Sequence, residues 1–273
     1  MRCAVLGHPV AHSLSPVLHT AAYAALGVDG VYDAHDVDEA GLPAFLQSLD
    51  GSWRGLSLTM PLKRTVLPLL DEVVEGARRA GAANTVLLGG GRRVGHNTDV
   101  PGAAAALRER YDGPVDRVAV LGGGATAAST ALAVADLGCR RITLAVRDAG
   151  RAAETLAALD RHPSTPQVDV VALGSTPLHA DVVVSTVPAA AQTPEVLAAA
   201  ADVPVVFDVV YDPWPTPLAA AARADGRVLV AGLDLLVHQA ALQVELMCDV
   251  EAAPYAVMRE AGERALAARS STA

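Results

Sequence analysis

The chain has 273 residues, of which 52% are hydrophobic and 19% are charged, and this balance excludes a disordered or fibrous protein. Its length allows one large domain or two medium domains with ample core. The net charge of −9 and the aromatic content of only 3% argue against a nucleic-acid partner, which would need a basic surface or a platform for stacking bases.

The first hundred residues are expected to alternate strands and helices. Ser15 followed by Pro16 has the chemistry of an N-cap and a first helical residue, and Gly27 that of a helix end. A hairpin is predicted where a turn of three glycines joins Thr85–Leu88 to Arg93–Gly95. The other predicted strands are Cys3–Leu6, Val31–Val37 and Gly55–Thr59, and the other predicted helices are Glu39–Leu49 and Glu72–Ala80.

After a predicted helix over Pro101–Arg110, the alternation becomes regular and indicates a parallel sheet covered on both faces. An Ala-rich helix ending at Leu137 follows the first strand of this half, and the tail Leu235–Arg269 is predicted to be helical. The predicted strands of this half are Arg117–Leu121, Arg141–Val146, Val168–Leu173, Asp181–Ser185, Val203–Asp208 and Val228–Ala231.

The cysteines and the apolar segments indicate the cellular compartment of the protein. Cys3, Cys139 and Cys248 are odd in number and widely spaced, which argues against a disulfide framework or a zinc site and favours a reducing cytoplasm. Gly7 and Pro9 stop the first apolar run before it reaches the length of a signal sequence. Since no stretch of about 20 apolar residues is present, we expect a cytoplasmic protein without a membrane partner.

A glycine-rich turn stands between the strand Arg117–Leu121 and the Ala-rich helix. Gly122, Gly124 and Ala127 have the spacing of a dinucleotide fingerprint, in which the glycines permit a tight turn and close approach to a pyrophosphate. The helix N-terminus would supply N–H groups to that anion. An ordinary tight turn is the alternative, because glycine and alanine are common in this chain.

The residues after the next predicted strand, Arg141–Val146, indicate which cofactor ribose the site binds, that of NAD or that of NADP. NAD sites usually place an acidic residue there, whereas NADP sites use an arginine for the 2′-phosphate. Arg147 and Arg151 could pair with a phosphate, and Asp148 would repel it unless its side chain turns away. A solvated loop of mixed charge is the alternative.

The loop after the first strand is small and polar. Ser13 and Ser15 could both face a ligand, although Ser15 could also serve only as a helix cap. Neither lies in the GxSxG elbow of a catalytic serine. His8 and His12 are four residues apart, but Pro9 argues against their sharing a helix face, and we expect no metal site.

Five more polar residues end or follow strand-like segments, where side chains of an open α/β sheet reach a crevice: Thr59, Lys63, Asn84, Asn97 and Asp99. Lys63 is the single lysine beside twenty arginines, which suggests codon bias with one exception. Of these two cationic groups, only the lysine ammonium can change protonation near neutral pH, so the exception suggests a chemical role. Asn84 and Asn97 could instead be turn formers.

Seven ordered motifs resemble those of the shikimate dehydrogenase family, and the match runs nearly from end to end. They lie at residues 7–19, 55–63, 81–85, 95–99, 208–213, 216–218 and 232–241. The chain departs from the family's patterns at several positions: Thr20 and Ser57 (both usually Asn), Leu58 (usually Val), Val146 and Asp148 (the Asn and Thr of an Asn-Arg-Thr signature), residues 185–188, Asp234 (usually Gly) and Leu235 (usually Met).

The resemblance implies a role for each candidate residue. Lys63 and Asp99 would be the catalytic pair, since an ammonium near the ketone oxygen could supply a proton or a charge and a carboxylate could orient it. The substrate carboxylate would be bound by Ser13, Ser15 and Tyr211, and the ring hydroxyls by Thr59, Asn84, Asp99 and Gln239, with Lys63 also in contact. The cofactor would be held by Gly122, Gly123, Gly124, Ala125, Ala127, Arg147 and Arg151, with Thr186, Val187 and Gly232 near its ribose and nicotinamide.

The resemblance also implies the architecture and the reaction. An N-terminal α/β substrate domain over residues 1–100 would be completed by C-terminal helices 235–273, and a doubly wound Rossmann-type domain over 101–234 would bind NADP, with the active site in the cleft between. The implied reaction is the reversible NADPH-dependent reduction of 3-dehydroshikimate to shikimate in aromatic amino-acid biosynthesis, by a monomer or a homodimer. One alternative is a quinate/shikimate or aminoshikimate dehydrogenase using NAD, and another is a shikimate sensor without catalysis.

Overall fold

The computed structural model describes residues 1–270, so residues 271–273 of the predicted C-terminal helices lie outside the described range. The chain divides into two units. The first contains Met1–Thr98 and the chain from Leu236 onward, and the second contains Asp99–Leu235. Within residues 1–270, no helix is both long and apolar enough to cross a membrane.

Strands and helices alternate along most of the chain. The strands are β1 (Arg2–Gly7), β2 (Val31–Asp36), β3 (Trp53–Leu58), β4 (Glu72–Val73), β5 (Thr85–Gly89), β6 (Arg92–His96), β7 (Arg117–Leu121), β8 (Arg141–Val146), β9 (Gln167–Ala172), β10 (Val182–Ser185), β11 (Val205–Asp208) and β12 (Val228–Val230). The α-helices are α1 (Ser15–Leu26), α2 (Leu42–Gln47), α3 (Leu62–Thr65), α4 (Glu75–Ala80), α5 (Asp99–Arg110), α6 (Ala125–Asp136), α7 (Ala153–Asp160), α8 (Pro194–Ala199), α9 (Pro217–Ala224), α10 (Gly232–Cys248) and α11 (Tyr255–Ser270). Short 3-10 turns cover Leu67–Leu69, Ala149–Ala152 and Ala189–Ala191.

The sheet of the first unit is mixed. Its strand order is β2-β1-β3-β5-β6-β4, in which β1 is parallel to both β2 and β3, while β5 runs antiparallel to β3 and β6. The reversal comes from the predicted hairpin, whose Gly90 and Gly91 have φ of +58° and +76°. Glycine tolerates such angles because it has no Cβ. The alternation of strands and helices therefore predicted only the parallel part of this sheet.

The helix predicted over Glu39–Leu49 is shorter than expected and covers only Leu42–Gln47. Pro43 lies in its first turn, where the fixed φ and the missing N–H of proline favour a helix start. Before it, the carboxylate of Asp38 accepts the N–H of Gly41 at 2.8 Å, which makes the preceding residues a turn.

Two other predicted helices are interrupted. The first three residues of the helix predicted over Glu72–Ala80 are not helical, because β4 pairs with β6 there and α4 begins only at Glu75. The tail predicted as helical over Leu235–Arg269 is two helices, α10 and α11, and the break begins at Asp249, whose φ is +54°. Pro254 lies just before α11, so the second helix starts after a residue that cannot continue the first.

The described strands of the second unit form a sheet that is parallel throughout, in the order β12-β11-β10-β7-β8-β9. Numbered from β7 as its own first strand, this is the doubly wound order 3-2-1-4-5-6 of dinucleotide-binding folds, read from the opposite edge of the sheet. Both β10 and β11 are buried along their whole length, as expected for parallel strands covered on both faces. The predicted doubly wound fold is confirmed.

Candidate active site

The loop that carries the first two candidate serines leaves β1 and leads into α1. The N-cap predicted at Ser15 is wrong, because Leu14 already has helical backbone angles (φ −89°, ψ −5°) and Ser15 is the first helical residue. The Ser13 hydroxyl instead accepts the N–H of Ser15 at 3.2 Å. Both serines therefore stand at a helix N-terminus, where N–H groups favour an anion such as a carboxylate.

A buried histidine lies one turn after these serines on α1. The ring of His19 stacks on that of Tyr32 with centroids 3.8 Å apart, and its Nδ1 donates to the carbonyl oxygen of Ser15 at 2.9 Å. That bond requires a proton on Nδ1, and Nε2 is buried without a partner among the described residues. Burial lowers the pKa of His19 from 6.5 to about 4, so the ring is neutral in the folded protein.

The buried neutral state of His19 predicts a loss of stability in acid. The unfolded chain binds this proton below about pH 6.5 and the folded chain does so only near pH 4, so stability falls as the pH falls through that window. We expect the titration of His19 alone to lower the free energy of unfolding by about 2 kcal/mol between pH 7 and pH 5, as measured by urea unfolding. His19→Phe is the control, because it keeps the stacking and cannot titrate. An equally steep pH dependence in that variant would contradict the prediction.

The second motif follows β3, next to β1 in the sheet. The N–H of Thr59 donates to the carbonyl oxygen of Leu6 at 2.9 Å, so the loops after the two strands start side by side. Gly7 has to be glycine, because a Cβ there would lie 2.3 Å from Cγ2 of Thr59. Lys63 lies in α3, and its carbonyl oxygen accepts the N–H of Ala83 at 2.7 Å. The helix of Lys63 is thereby anchored to the segment that leads into β5.

Asn84 is buried just before β5, and its side-chain amide has partners far away in the sequence. Its Oδ1 accepts the N–H of Thr98 at 2.8 Å, and its Nδ2 donates to Oγ1 of Thr98 at 2.8 Å and to Oε1 of Gln239 at 3.2 Å. Asn84 is therefore not a local turn former. Asn97 donates to the carbonyl oxygen of Ala82 at 3.0 Å and joins two loops. The structure brings together Asn84 and Gln239, two of the predicted hydroxyl-binding residues.

Asp99 is the first residue of α5 and is buried. A carboxylate in the first turn of a helix interacts favourably with the helix dipole. Thr98 belongs to the first unit and Asp99 to the second, so the chain passes from one unit to the other at this peptide bond. Asp99 therefore directly follows the threonine that holds the Asn84 amide.

The two histidines of the first loop have different partners. Nδ1 of His8 lies 2.5 Å from the carboxylate of Asp36, which raises the pKa of His8. The carbonyl oxygen of His12 accepts a hydrogen bond from Arg269 on α11 at 3.0 Å. Over residues 1–270, no group of three or more His, Cys, Asp or Glu side chains is placed to hold a metal ion.

The glycine-rich turn joins β7 to α6 with the geometry of a phosphate cradle. Gly122 has a φ of +114°, and a Cβ on it would lie 2.4 Å from Oγ1 of Thr186. A Cβ on Gly124 would meet nothing within 4 Å, so the backbone there faces open space. The helix begins at Ala125 without a side-chain cap, and the fully buried Ala127 allows close packing. The uncapped N–H groups are therefore suited to a pyrophosphate.

In the loop after β8, a hydrogen bond fixes the direction of the acidic side chain. Oδ1 of Asp148 accepts the N–H of Gly150 at 2.9 Å, so this carboxylate caps the 3-10 turn that follows it. Arg147 and Arg151 are exposed on either side. Gly123 packs against the backbone of Arg151, where a Cβ would lie 2.3 Å from the carbonyl oxygen. The turn of Asp148 thus lies against the glycine-rich turn, with its carboxylate engaged in its own loop.

The remaining candidates of the second unit follow β10 and β11 or begin α10. The Thr186 hydroxyl donates to the carbonyl oxygen that ends β7 at 2.8 Å, and Val187 beside it is buried. Tyr211 is half-buried in the loop after β11. Gly232 packs against that loop so closely that a Cβ would lie 2.5 Å from the carbonyl oxygen of Val209. These residues gather at the carboxyl ends of β7, β10 and β11, near the point where the strand order reverses.

Asp208, at the end of β11, belongs to a buried polar cluster. Asp208 and Thr216 lie in the sequence motifs, but the motif comparison assigned neither of them a role. Its carboxylate accepts from Oγ1 of Thr216 at 2.6 Å, from Nε2 of Gln192 at 2.8 Å and from the N–H of Val210 at 3.1 Å. Burial raises the pKa of Asp208, and these three donors oppose that shift. The cluster organises the loop that carries Tyr211.

Known proteins resemble the chain over nearly its whole length. The model of the shikimate dehydrogenase substrate binding domain matches residues 5–86, and that of the shikimate 5′-dehydrogenase C-terminal domain matches residues 232–261. A Moorella thermoacetica protein named shikimate dehydrogenase (NADP(+)) is 37% identical over 98% of this chain and 94% of its own. The chain belongs to the shikimate dehydrogenase family.

Solved structures of shikimate dehydrogenases share the fold. That of the Mycobacterium tuberculosis enzyme is 38% identical with a TM-score of 0.85, covering 98% of both chains. The shikimate 5-dehydrogenase of Thermus thermophilus, in complex with NADP(H) and shikimate, is 33% identical with a TM-score of 0.81, covering 97% of this chain and 99% of that one. The family assignment therefore rests on sequence and fold together.

One departure from the shikimate dehydrogenase motifs has a structural partner. Asp234, where the motif usually has glycine, is buried in the first turn of α10. Its carboxylate accepts from Arg110 at 2.9 Å and from the N–H of Ala231 at 2.8 Å. Arg110 ends α5, so this ion pair ties the helix that starts at Asp99 to the helix start that carries Gly232.

Gln243 is a further residue that the motif comparison missed. It lies one helical turn after Gln239 on α10, is 1% exposed, and hydrogen-bonds to Ser57 and Thr85. A second glutamine four residues after the first, separated from it by three apolar residues, was the available signal. Its partners could not be named from the sequence, because they lie on strands more than 150 residues away.

Proposed function

We propose that this chain is an NADP-dependent shikimate dehydrogenase, which reversibly reduces 3-dehydroshikimate to shikimate in the biosynthesis of aromatic amino acids. The end-to-end match to shikimate dehydrogenases, with the candidate catalytic lysine in its motif, carries the proposal. The first unit is the substrate domain and the second the cofactor domain. The protein acts in the cytoplasm, as a monomer or a homodimer.

Lys63 and Asp99 are the proposed acid–base pair. Reduction of the ring ketone places negative charge on its oxygen, and the Lys63 ammonium donates the proton that neutralises it. In the reverse direction, the Lys63 amine accepts the proton of the substrate hydroxyl. The Asp99 carboxylate orients the ammonium, and the N-terminal position of Asp99 on α5 favours its negative charge.

The other substrate contacts divide by chemistry. Ser13, Ser15 and Tyr211 have hydroxyls that can donate to the substrate carboxylate, and the two serines add the N-terminal end of α1. Thr59, Asn84, Asp99 and Gln239 bind the ring hydroxyls. Nδ2 of Asn84 donates a hydrogen bond to Oε1 of Gln239 at 3.2 Å. A ring hydroxyl that binds both amides therefore replaces this hydrogen bond or adds to it.

The residues of the second unit fit NADP. NADPH, when bound, supplies the hydride for the carbonyl carbon. The open backbone at Gly124 and the uncapped start of α6 suit its pyrophosphate, and Arg147 and Arg151 suit a 2′-phosphate. Asp148 caps its own turn, and its carboxylate is therefore less able to oppose that phosphate.

The decisive experiment is an assay of shikimate oxidation by the purified protein, with NADP and NAD side by side. We expect turnover with a higher kcat/KM for NADP than for NAD. Equal or reversed efficiency would show that Asp148 outweighs the arginines. Faster turnover of quinate than of shikimate would assign the chain to the quinate-using alternative, and shikimate binding without turnover would indicate a sensor.

Replacing Arg147 tests the cofactor assignment. Arg147→Ala is expected to lower kcat/KM for NADP about 10–100-fold and to leave that for NAD within about 3-fold, because only NADP has the 2′-phosphate that Arg147 is proposed to bind. The affinity for NADP, measured by calorimetry without substrate, should fall in parallel. Arg140→Ala is the matched control. Arg140 is also exposed, but it lies just before the start of β8, whereas Arg147 lies just after its end. Equal losses with both cofactors would contradict the role of Arg147.

A further inference from the structure

A chain of buried hydrogen bonds crosses the first unit from β2 to Asn84. The hydroxyl of Tyr32 donates to Oγ of Ser57 at 2.6 Å, and Ser57 donates to Oε1 of Gln243 at 2.7 Å. Nε2 of Gln243 donates to Oγ1 of Thr85 at 3.0 Å, and Thr85 donates to Oδ1 of Asn84 at 3.0 Å. All five side chains are buried. The chain therefore joins three strands and α10 through side chains alone.

Two backbone groups fix the polarity of this chain. Nε2 of Gln243 also lies 3.2 Å from the carbonyl oxygen of Asn84, which can only accept, so the nitrogen of the Gln243 amide must point there and its oxygen must point to Ser57. At the other end, the N–H of Thr98 can only donate, so Oδ1 of Asn84 must face it. The orientations of both amides follow from these anchors.

The Tyr32 end of the chain is polarised in the same direction. Burial raises the pKa of Tyr32, so its hydroxyl keeps the proton that it donates to Ser57. Ser57 can then direct its own proton to Gln243. Each hydroxyl between Tyr32 and Asn84 accepts one bond and donates the next, an arrangement in which neighbouring bonds strengthen each other.

These bonds affect the end of the Asn84 amide that lies towards Gln239. With Oδ1 held by Thr85 and Thr98, the NH₂ group is the end that faces Gln239. We propose that Gln243 is a positioning residue for shikimate, because it holds the Thr85 hydroxyl, which together with the Thr98 N–H keeps the Asn84 amide in place with its NH₂ group towards the substrate hydroxyl. This inference rests on the proposed function in one respect, namely that Asn84 binds a ring hydroxyl.

The test replaces Gln243 with methionine, which is similar in size but lacks both the donor and the acceptor. We expect Gln243→Met to raise the Kd for shikimate about 10-fold, since a substrate hydroxyl then meets a less firmly held amide, and to change the Kd for NADP less than about 2-fold. Met247→Leu is the matched control, because Met247 is fully buried one turn further along α10 and its side chain is apolar. Its Kd for shikimate should stay within about 2-fold of wild type.

A double-mutant cycle separates positioning from general damage. In an Asn84→Ala background, Gln243→Met should cause no further loss of shikimate affinity, because the group through which it acts is gone. A persistent 10-fold penalty in that background, or an unchanged Kd in the single variant, would overturn the inference. If Gln243→Met does not fold, Thr85→Val breaks the same chain one step later and should give the same pattern. Failure of wild type to bind shikimate at all would contradict the proposed function instead.

Discussion

Replacing Lys63 with alanine is expected to lower kcat for shikimate oxidation by about 10²–10⁴-fold, with a smaller change in KM. The reacting oxygen must lose a proton in this direction and gain one in the other, and Lys63 is proposed to carry it. Lys63→Arg is expected to be slow as well, because a guanidinium supplies charge but hardly ever a proton. A loss that is confined to kcat would mark Lys63 as a group that acts in the transition state.

The measurement is steady-state formation of NADPH from shikimate, with circular dichroism to confirm that each variant is folded. Thr65→Ala is the matched control, since Thr65 lies in the same short helix and its hydroxyl bonds to the exposed Glu39. Its kcat should stay within about 2-fold of wild type. A folded Lys63→Ala protein with near-wild-type turnover would remove Lys63 from the mechanism.

Replacing Asp208 with alanine is expected to destabilise the second unit by about 3 kcal/mol. Two effects compete, because burial makes the charge of Asp208 costly, as its raised pKa shows, while two buried donors and one half-buried N–H depend on it. The donors should decide the outcome, since Gln192 and Thr216 would each lose an acceptor away from water and the half-buried N–H of Val210 would lose one as well. The loop that carries Tyr211 should loosen at the same time and raise KM for shikimate.

The two tryptophans allow the unfolding of the second unit to be followed on its own. Trp53 lies in the first unit and Trp214 in the second, so in a Trp53→Phe background fluorescence reports on Trp214. Urea unfolding in that background gives the stability change of Asp208→Ala. Asp169→Ala on the exposed side of β9 is the control and should change stability by less than about 0.5 kcal/mol. Equal stability of the two variants would show that the polar cluster contributes nothing.

Much of the fold could be predicted because its signals are local. The strand, glycine turn and helix around Gly122 occupy consecutive residues, and the strand order of the second unit agrees with the dinucleotide fold that they indicate. The hairpin at Gly90 was equally local. The errors fell where pairing with a distant strand competes with local preference, as at Glu72, which pairs with β6 instead of starting a helix.

The candidate site also has a part that local sequence could predict and a part that it could not. Lys63, Asn84 and Asp99 could be named from motif spacing, but their surroundings could not. The cap at Ser15 was predicted from the chemistry of a serine before a proline, and the backbone angles of Leu14 moved the helix start by one residue. Asp148 was ambiguous because a sequence records a charge without the direction of its side chain.

The amino-acid sequence by itself therefore determined the fold of the second unit, the family and the residues that are candidates for chemistry, since each depends on short-range spacing. Only the tertiary structure decided that Asp148 turns into its own loop and that Gln243 bonds to Thr85, which in turn bonds to the amide of Asn84. Gln243 and Asn84 are 159 residues apart, and hydrogen bonds of that kind leave no periodic pattern in the sequence. They exist because packing α10 against the sheet buries polar groups that must then find partners in one another.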